Sequence, residues 1–317
     1  MHLYLLTFLV AFFVTYLSTP VVKAFASKIK AIDLPGDRKV HLLPIPRLGG
    51  LAIYLGFISA VAGAYSLANF YGSKLNYSAG VGILLAGTIM MLVGLVDDVR
   101  GLRATTKLIW QIIAAAVVIY FGVEINFISN PFNGLWVIGL WSIPLTLLWI
   151  VGMTNAINLI DGLDGLAAGV TAISSITLFF VALRTHQLGA AILMLALFGA
   201  ALGFLRYNFF PASIFLGDSG SLFLGFILGS SSVIGVLKTT LVVALIIPVL
   251  ILGVPIFDTL FAIGRRLSSG KHPFEADNKH IHHMLLRAGF NQREAVLAIY
   301  IVCFLLSFIS LVMTLQR

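Results

Sequence analysis

Charged residues are scarce in this sequence. They make up 10% of the 317 residues, whereas 60% are hydrophobic, and a soluble domain usually carries about 25% charged residues. The scarcity excludes an ordinary soluble domain. Cysteine is rarer still, because Cys303 is the only one and no disulfide can form within the chain. Since it lies inside the last apolar run, we expect it to serve in packing.

Long apolar runs are what the sequence has in abundance. We count ten, each about 20 residues long and therefore sufficient to cross a bilayer. They are continuous rather than alternating, and backbone groups in lipid must bond to each other, so helices are expected. We predict an all-α, polytopic integral membrane protein with about ten transmembrane helices, forming a single domain over residues 1–317. The runs begin near residues 3, 47, 79, 106, 136, 163, 187, 214, 240 and 295.

The distribution of lysine and arginine predicts the orientation, because cytoplasmic loops are enriched in both. All but four of the 20, namely Lys74, Arg184, Lys238 and Arg317, fall in one set of loops. This set would be cytoplasmic, near residues 24–46, 97–105, 154–164, 206–218 and 264–293. With an even number of spans, both termini would then lie outside.

The acidic residues and histidines gather on the same predicted side. Only Glu124 among the 12 acidic residues, and only His2 and His186 among the seven histidines, fall elsewhere. A membrane scaffold does not require this, whereas a metal and phosphate site built from several loops does. The basic residues form no continuous patch with interleaved aromatics, so we predict no nucleic-acid partner.

An acidic pair, Asp97 and Asp98, ends the third run and is followed by Lys107. Adjacent carboxylates repel, so at least one requires a cation, a proton or a basic neighbour. A solvated helix end is the alternative. The position at the end of an apolar run, where uncompensated charge is costly, favours a functional role.

Four polar side chains, Asn155, Asn158, Asp161 and Asp164, lie between two apolar runs. The spacing of three places the first three on one helix face. We interpret the segment as polar ligand recognition. A calcium loop is a weaker alternative, because its closing glutamate is missing. Aspartates that cap the next helix are another.

A third polar segment spans residues 206–221 and contains Asn208, Phe215 and Asp218. Asp218 stands between two glycines before an apolar run, a setting in which a carboxylate can meet Mg²⁺ together with backbone or substrate oxygens. A helix cap is the alternative. Phe215 either packs in the core or stacks on a base.

Three histidines, His280, His282 and His283, lie in a basic loop that also carries Arg265. Diphosphate binding is the interpretation that we favour. Zinc binding lacks a supporting cysteine or second histidine cluster, and a solvated cluster is a further alternative. Asp258, inside the preceding apolar run, is either functional or paired with the arginines that follow it.

A fifth segment contains Arg38 and His41 and has the composition of a basic loop before the second run. By itself it is weak evidence for any function. Taken together and in this order, the five segments resemble the polyprenyl-phosphate N-acetylhexosamine-1-phosphate transferase family, glycosyltransferase family 4. The resemblance covers residues 37–283. It implies transfer of a sugar 1-phosphate from a UDP-sugar to undecaprenyl phosphate, with release of UMP. It also implies Mg²⁺ or alternatively Mn²⁺, and a cytoplasmic active site in the bacterial inner membrane; a homodimer stays open.

The resemblance and the residue chemistry together yield the candidate site residues. The candidate catalytic residues are Asp97, Asp98, Lys107, His282 and His283. The candidate metal ligands are Asp218, Asp97 and Asp98. The candidate substrate-binding residues are Asn155, Asn158, Asp161, Asp164, Asn208, Phe215, Arg265, His280, Arg38 and His41.

The sugar is indicated by resemblance alone. The branch that uses UDP-N-acetylmuramoyl-pentapeptide has three consecutive histidines, whereas Met284 stands here where the third would fall. The segments 38–41 and 44–50 also look like the N-acetylglucosamine branch, so we favour UDP-N-acetylglucosamine. A transporter is the alternative from another class, but it would place charges near the membrane midplane rather than at span ends.

The mechanism that we favour is a single displacement, in which the lipid phosphate attacks the β-phosphorus of the UDP-sugar. A covalent aspartyl-phosphate intermediate is the alternative, and the stereochemistry at a chiral β-phosphorus distinguishes the two. From the sequence we expect His282→Ala to slow turnover far more than it disturbs folding.

Overall fold

A computed structural model describes residues 2–34, 43–70, 77–129, 135–234, 246–268 and 281–315 of the chain. Helices dominate these ranges, as expected for backbone that must satisfy its own hydrogen bonds in lipid. The helices are α1 (His2–Lys28), α2 (Gly49–Phe70), α3 (Tyr77–Arg100), α4 (Ala104–Tyr120), α5 (Ser142–Ile160), α6 (Leu166–Arg184), α7 (Leu188–Asn208), α8 (Gly217–Ser232), α9 (Ile246–Ile251), α10 (Gly253–Ser268), α11 (Ile281–Arg287) and α12 (Gln292–Leu315).

Two short antiparallel hairpins connect helices. In the first, β1 (Ile32–Asp33) pairs with β2 (Ile45–Pro46), with Ile32 opposite Pro46. In the second, β3 (Phe127–Ser129) pairs with β4 (Leu135–Val137), and a 3₁₀ turn at Gly139–Trp141 leads into α5. The first hairpin matters for the site, because it joins α1 to α2.

Seven of the described helices are long and apolar enough to cross a membrane: α1, α2, α3, α5 with its preceding turn, α6, α7 and α12. Helix α4 is apolar but has only 17 residues, and α8 has 16. The predicted run near residue 240 falls partly outside the described residues. The chain is thus an all-α, multi-pass membrane protein, while the count of ten spans remains a prediction.

The buried apolar side chains form one continuous cluster, which extends from Ala11 in α1 to Cys303 in α12. Cys303 is fully buried and reduced, in agreement with the expected packing role. Large apolar side chains on the outer faces of α1 and α12, such as Leu17 and Ile301, are exposed. These faces suit contact with lipid, where exposure of apolar groups is favourable.

Glycines let the helix backbones approach closely, as is common in membrane bundles. A Cβ on Gly94 of α3 would lie 2.4 Å from the backbone oxygen of Asp218 in α8. A Cβ on Gly50 of α2 would lie 2.1 Å from the nitrogen of Gly220. Helix α8 therefore begins in direct backbone contact with α2 and α3, and this contact sets the position of Asp218.

We expect Gly94→Ala to destabilise the protein by about 1–3 kcal/mol, because the added methyl overlaps backbone that cannot move without shifting α8. Gly63→Ala in α2 is the matched control, since nothing lies within 4 Å of the Cβ that it would add. The measurement is thermal unfolding of the purified proteins by tryptophan fluorescence. Equal melting temperatures for the two variants would contradict the close contact between α3 and α8.

Candidate active site

A polar cleft of about 340 Å³ opens at one end of the bundle. It lies where α3 and α5 end and where α6, α8 and α12 begin, so residues far apart in the sequence share one wall. Its lining residues are Asp33, Arg47, Asp98, Asp161, Gly162, Leu163, Asp164, Asn208, Phe215, Leu216, Gly217, Asp218, His283 and Gln292.

The carboxylate of Asp98 holds the N-terminus of α8. Its Oδ1 accepts the backbone N–H of Asp218 at 2.9 Å, and its Oδ2 accepts that of Ser219 at 3.0 Å. These N–H groups belong to the first turn of a helix, which has no acceptors of its own for them. Gly217 precedes Asp218 with a positive φ of 73°, and a Cβ there would lie 2.5 Å from Asp98 Oδ2. Asp98 is therefore a cap supplied by another helix.

Arg47 fixes the end of α3 from the other side. Its Nε and Nη2 donate to the backbone oxygen of Asp98 at 3.0 and 2.7 Å. Its Nη1 lies 3.8 Å from Asp33 Oδ1 in β1. The arginine thus ties the first hairpin to the acidic pair.

Backbone hydrogen bonds join the segment before α8 to the segment before α2. The N–H of Phe215 donates to the oxygen of Pro46 at 2.8 Å, and Gly49 donates to the oxygen of Phe215 at 3.0 Å. Gly50 then donates to Leu216 at 2.9 Å. The position of the Phe215 ring at the cleft therefore depends on pairing with a segment far away in sequence.

Lys107 bridges two carboxylates. Its Nζ lies 2.9 Å from Asp97 Oδ2 and 2.9 Å from Asp218 Oδ2. Asn158 donates to the other oxygen of Asp218 at 2.8 Å and to Ser221 at 2.8 Å. Asp97 also accepts the backbone N–H of Leu102. These contacts hold Asp218 between α3, α4 and α5, with its exposed part towards the cleft.

The opposite wall is built by side chains that bond to backbone. Asp164 Oδ2 accepts the N–H of Ala212 at 2.9 Å. Asn208 accepts from Gly165 at 3.1 Å and donates to Ile214 at 3.1 Å. Asn208 lines the cleft, but both ends of its amide are engaged, so its geometry is that of a support for the 206–221 segment.

The two described histidines of the histidine motif differ in exposure. His283 lines the cleft, whereas His282 is only 3% exposed and its Nε2 lies 2.4 Å from where Gly162 would carry a Cβ. The two rings are 4.3 Å apart. Asp258 accepts the backbone N–H of Ile281 at 2.8 Å and so caps α11, which carries both histidines.

Negative charge dominates the cleft. Five aspartates line it, against one arginine. Desolvation raises the pKa of Asp161 well above its ordinary value, and the negative charges of Asp218 and Asp98 raise it further. An anionic substrate would meet repulsion here unless a cation entered with it.

Carboxylates of the kind that can hold a magnesium ion lie at the cleft. Among the described residues, no three His, Cys, Asp or Glu side chains are grouped to hold a metal. Mg²⁺ needs only one or two carboxylates, because it keeps waters and shares substrate phosphates. Asp97 and Asp218, which already share one ammonium group, offer that arrangement.

Most of the predicted site residues converge. The cleft lining includes Asp98, Asp161, Asp164, Asn208, Phe215, Asp218 and His283. Three more lie directly behind it: Lys107 and Asn158 contact Asp218, and Asp97 contacts Lys107. His282 packs beside the cleft. The predicted residues Arg38, His41 and His280 lie outside the described residues.

Two predicted residues are not brought into the cleft. Asn155 exchanges two hydrogen bonds with Gln111 of α4, at 3.2 and 2.7 Å, because it lies a turn deeper in α5 and faces α4. Arg265 is not among the lining residues. The expected helix face also ends early, because α5 ends at Ile160 and Asp161 already has a non-helical backbone.

Three polar lining residues, Asp33, Arg47 and Gln292, were not among the predicted site residues. Arg47 carries a signal, since it is an arginine between a proline and the glycines that open α2. Gln292 carries none, as it only begins the last helix. Its place at the cleft depends on the packing of α12 alone.

The sequence is similar to known proteins over most of its length. The sequence profile of glycosyl transferase family 4 matches residues 80–236. A probable undecaprenyl-phosphate N-acetylglucosaminyl 1-phosphate transferase of Bacillus subtilis is 42% identical over 308 residues, which cover 96% of this chain and 84% of the relative. A decaprenyl-phosphate N-acetylglucosaminephosphotransferase of Mycolicibacterium smegmatis is 40% identical, over 92% and 78%.

A relative with another sugar substrate in its name is more distant. The phospho-N-acetylmuramoyl-pentapeptide-transferase of Desulforamulus reducens is 33% identical over 284 residues, which cover 84% of this chain and 81% of the relative. All these relatives match along most of their length. The resemblance carried by the five polar segments is thereby confirmed, and the chain belongs to glycosyl transferase family 4, the membrane-embedded polyprenyl-phosphate N-acetylhexosamine-1-phosphate transferases.

Proposed function

We propose that this enzyme transfers N-acetylglucosamine 1-phosphate from UDP-N-acetylglucosamine to undecaprenyl phosphate, forming undecaprenyl-diphospho-N-acetylglucosamine and UMP. The observation that carries the proposal is the carboxylate and lysine cluster around Asp218, which borders a polar cleft of about 340 Å³. The names of the relatives support undecaprenyl or decaprenyl phosphate as the acceptor class.

The choice of sugar has two supports. The relatives at 42% and 40% identity are named for N-acetylglucosamine, whereas at lower identity both names occur, the muramoyl-pentapeptide relative at 33% and another N-acetylglucosaminyl relative at 28%. In addition, Met284 replaces the third histidine that marks the muramoyl-pentapeptide branch. Both point to the smaller sugar.

Mg²⁺ is the proposed cation, with Mn²⁺ as an alternative, and Asp218 and Asp97 would hold it at the position where their carboxylates now share the Lys107 ammonium group. When bound, it would neutralise charge on the diphosphate. We assign Asp98 a different role, because both of its carboxylate oxygens already accept backbone N–H groups of α8. Asp98 positions Asp218 rather than reaching for the substrate itself.

The contacts of the acidic pair support a single displacement. A phosphate monoester is mostly dianionic at pH 7, because its second pKa is near 6, so the acceptor needs no strong base. One of its oxygens would bond to the β-phosphorus, and the bond from that phosphorus to the oxygen bridging to the α-phosphate would break as UMP leaves. Asp97 is occupied by Lys107 and Leu102, and Asp98 by α8, so neither is poised to form an aspartyl-phosphate.

The rest of the cleft divides between nucleoside and diphosphate. Phe215 lines the wall and offers a face on which uracil could stack, with Asp161 and Asp164 nearby. His283 and Arg47 line the same cleft and are the groups that would meet phosphate oxygens.

The orientation that we propose has the cleft in the cytoplasm and both chain ends outside, in the bacterial inner membrane. Helix α1 ends just before Asp33 and α12 begins at Gln292, and both residues line the cleft. The far ends of both helices therefore lie away from it. The lysine and arginine bias then supports a cytoplasmic cleft.

Donor choice tests the proposed reaction directly. Purified enzyme with undecaprenyl phosphate and Mg²⁺ should release UMP from UDP-N-acetylglucosamine, because Met284 stands in the sequence where the third histidine of the other branch would fall. UDP-N-acetylmuramoyl-pentapeptide serves as the parallel donor. Faster UMP release from the pentapeptide donor would overturn the sugar assignment, and release from neither would favour the transporter.

Asp218→Asn should lower kcat by about 100-fold or more, because it removes the negative charge that faces the cleft and bonds to Lys107. The amide keeps the size of the side chain but leaves either Lys107 or Asn158 without its acceptor at this position, so the melting temperature should also fall. Glu124→Gln is the matched control, since this acid bonds to Asn126 far from the cleft. The assay measures UMP release at saturating substrates, and a kcat within threefold of the native value would contradict the role.

The structure refines the expectation for the histidines. Because His283 lines the cleft, His283→Ala should lower kcat at least tenfold with a nearly unchanged melting temperature. His282→Ala should lower both, since this buried ring fills the space beside Gly162. Activity and thermal unfolding are measured on both variants. The reverse pattern, in which only His283→Ala loses stability, would contradict the assignment.

A further inference from the structure

The end of the bundle opposite the cleft contains a second polar cavity, of about 140 Å³. The cleft is lined by residues at the C-terminal end of α3 and at the start of α8. This cavity is instead lined by Gly80, near the start of α3, and by Ile234, which follows α8. Helix α3 has 24 residues and is therefore about 36 Å long. The proposed transfer reaction makes no use of this cavity.

One wall of the cavity is the start of α7. The lining includes Leu188, Gly189 and Ala190, the first three residues of this 21-residue helix. The first N–H that bonds within the helix is that of Ala191, to the oxygen of Gln187 at 3.0 Å. No side chain caps the helix, and its first turn contains no acidic residue. Three N–H donors and the positive end of the helix dipole therefore remain at the cavity.

Tyr65 of α2 gives an independent sign of a ligand. Its side chain lines the cavity and is 9% exposed, and within the described part of the chain its hydroxyl has no hydrogen-bond partner. A Cβ on Gly80 of α3 would overlap this hydroxyl and one on Gly189 would lie 3.4 Å from it, so the oxygen lies between α3 and the first turn of α7. Buried hydroxyls nearly always bond to something, so a group that accepts from both Tyr65 and α7 would satisfy it.

The turn between α6 and α7 adds two further polar side chains, His186 and Gln187. His186 has a positive φ of 56°, which is uncommon for a residue other than glycine. This residue lies just after the end of α6, where the N–H of Gln187 donates to the oxygen of Ala182 at 2.9 Å, a left-handed cap found at many helix C-termini. None of the described residues that line the cavity is acidic.

We propose that this cavity binds a phosphate group, carried either by the free ion or by a phospholipid headgroup. The N–H groups of the first turn of α7 and the Tyr65 hydroxyl donate to its oxygens, with His186 and Gln187 at the rim. Several convergent donors at a helix N-terminus are the arrangement that suits such an oxyanion. The volume is sufficient for one phosphate group or a few waters.

The test compares the native protein with Gly189→Asp and Tyr65→Phe. The new carboxylate would occupy the N-terminus of α7, where negative charge is favourable, and so mimic the ligand. Inorganic phosphate should raise the melting temperature of delipidated native protein by on the order of 2 °C relative to sodium chloride of equal ionic strength. This increase should be smaller in Tyr65→Phe and smallest in Gly189→Asp, where only phosphate in the active-site cleft would contribute. Gly189→Asp should itself melt higher without phosphate.

A second experiment uses native mass spectrometry to measure how much phosphatidylglycerol and phosphatidylcholine the protein retains. Loss of the retained lipid in Gly189→Asp would identify a lipid headgroup as the carrier of the bound phosphate. Tyr120→Phe is the matched control, because this tyrosine ends α4, is 87% exposed and lies outside the cavity lining. Phosphate bound in the active-site cleft would be unaffected by these substitutions. If Gly189→Asp behaves as the native protein in both experiments, the proposal is overturned.

Discussion

The cap that Asp98 places on the N-terminus of α8 is the interaction on which the site depends. Two charge-assisted hydrogen bonds join the end of α3 to the start of α8, and glycines on both α2 and α3 allow the backbones to meet there. In lipid, a helix end without such acceptors would be strongly unfavourable. One carboxylate therefore satisfies a structural requirement of the membrane and also determines where Asp218 stands.

The start of α8 makes two further sets of contacts, which position the rest of the site. Towards α4 and α5, Asp218 contacts Lys107 and Asn158. Towards α2, the segment before α8 pairs with the residues after the first hairpin, and this pairing presents Phe215. A shift of α8 would disturb the charge cluster and the aromatic wall together, because both are attached to the same few residues.

The arrangement also explains why so many aspartates are needed at one end of the bundle. Some of them serve the fold: Asp98 caps α8, Asp164 holds the backbone at Ala212, and Asp258 caps α11. Asp97 and Asp218 instead share a lysine. In a soluble enzyme water would satisfy many of these helix ends, but in a membrane protein side chains must do it, so acidic residues there have structural and chemical roles side by side.

Hydropathy and residue chemistry were sufficient to predict the class of protein, the approximate start of most helices and the set of segments that meet. The predicted starts near 79, 106 and 187 lie within two residues of α3, α4 and α7, because a helix in lipid is encoded by a continuous apolar run. The role of each individual site residue could not be predicted from the sequence. The Asp98 cap joins residues 120 positions apart, Asn155 turns to Gln111, and Gln292 reaches the cleft through α12. Such contacts arise from which helix faces pack together, and that choice depends on side-chain shape and glycine positions over the whole bundle rather than on any local pattern.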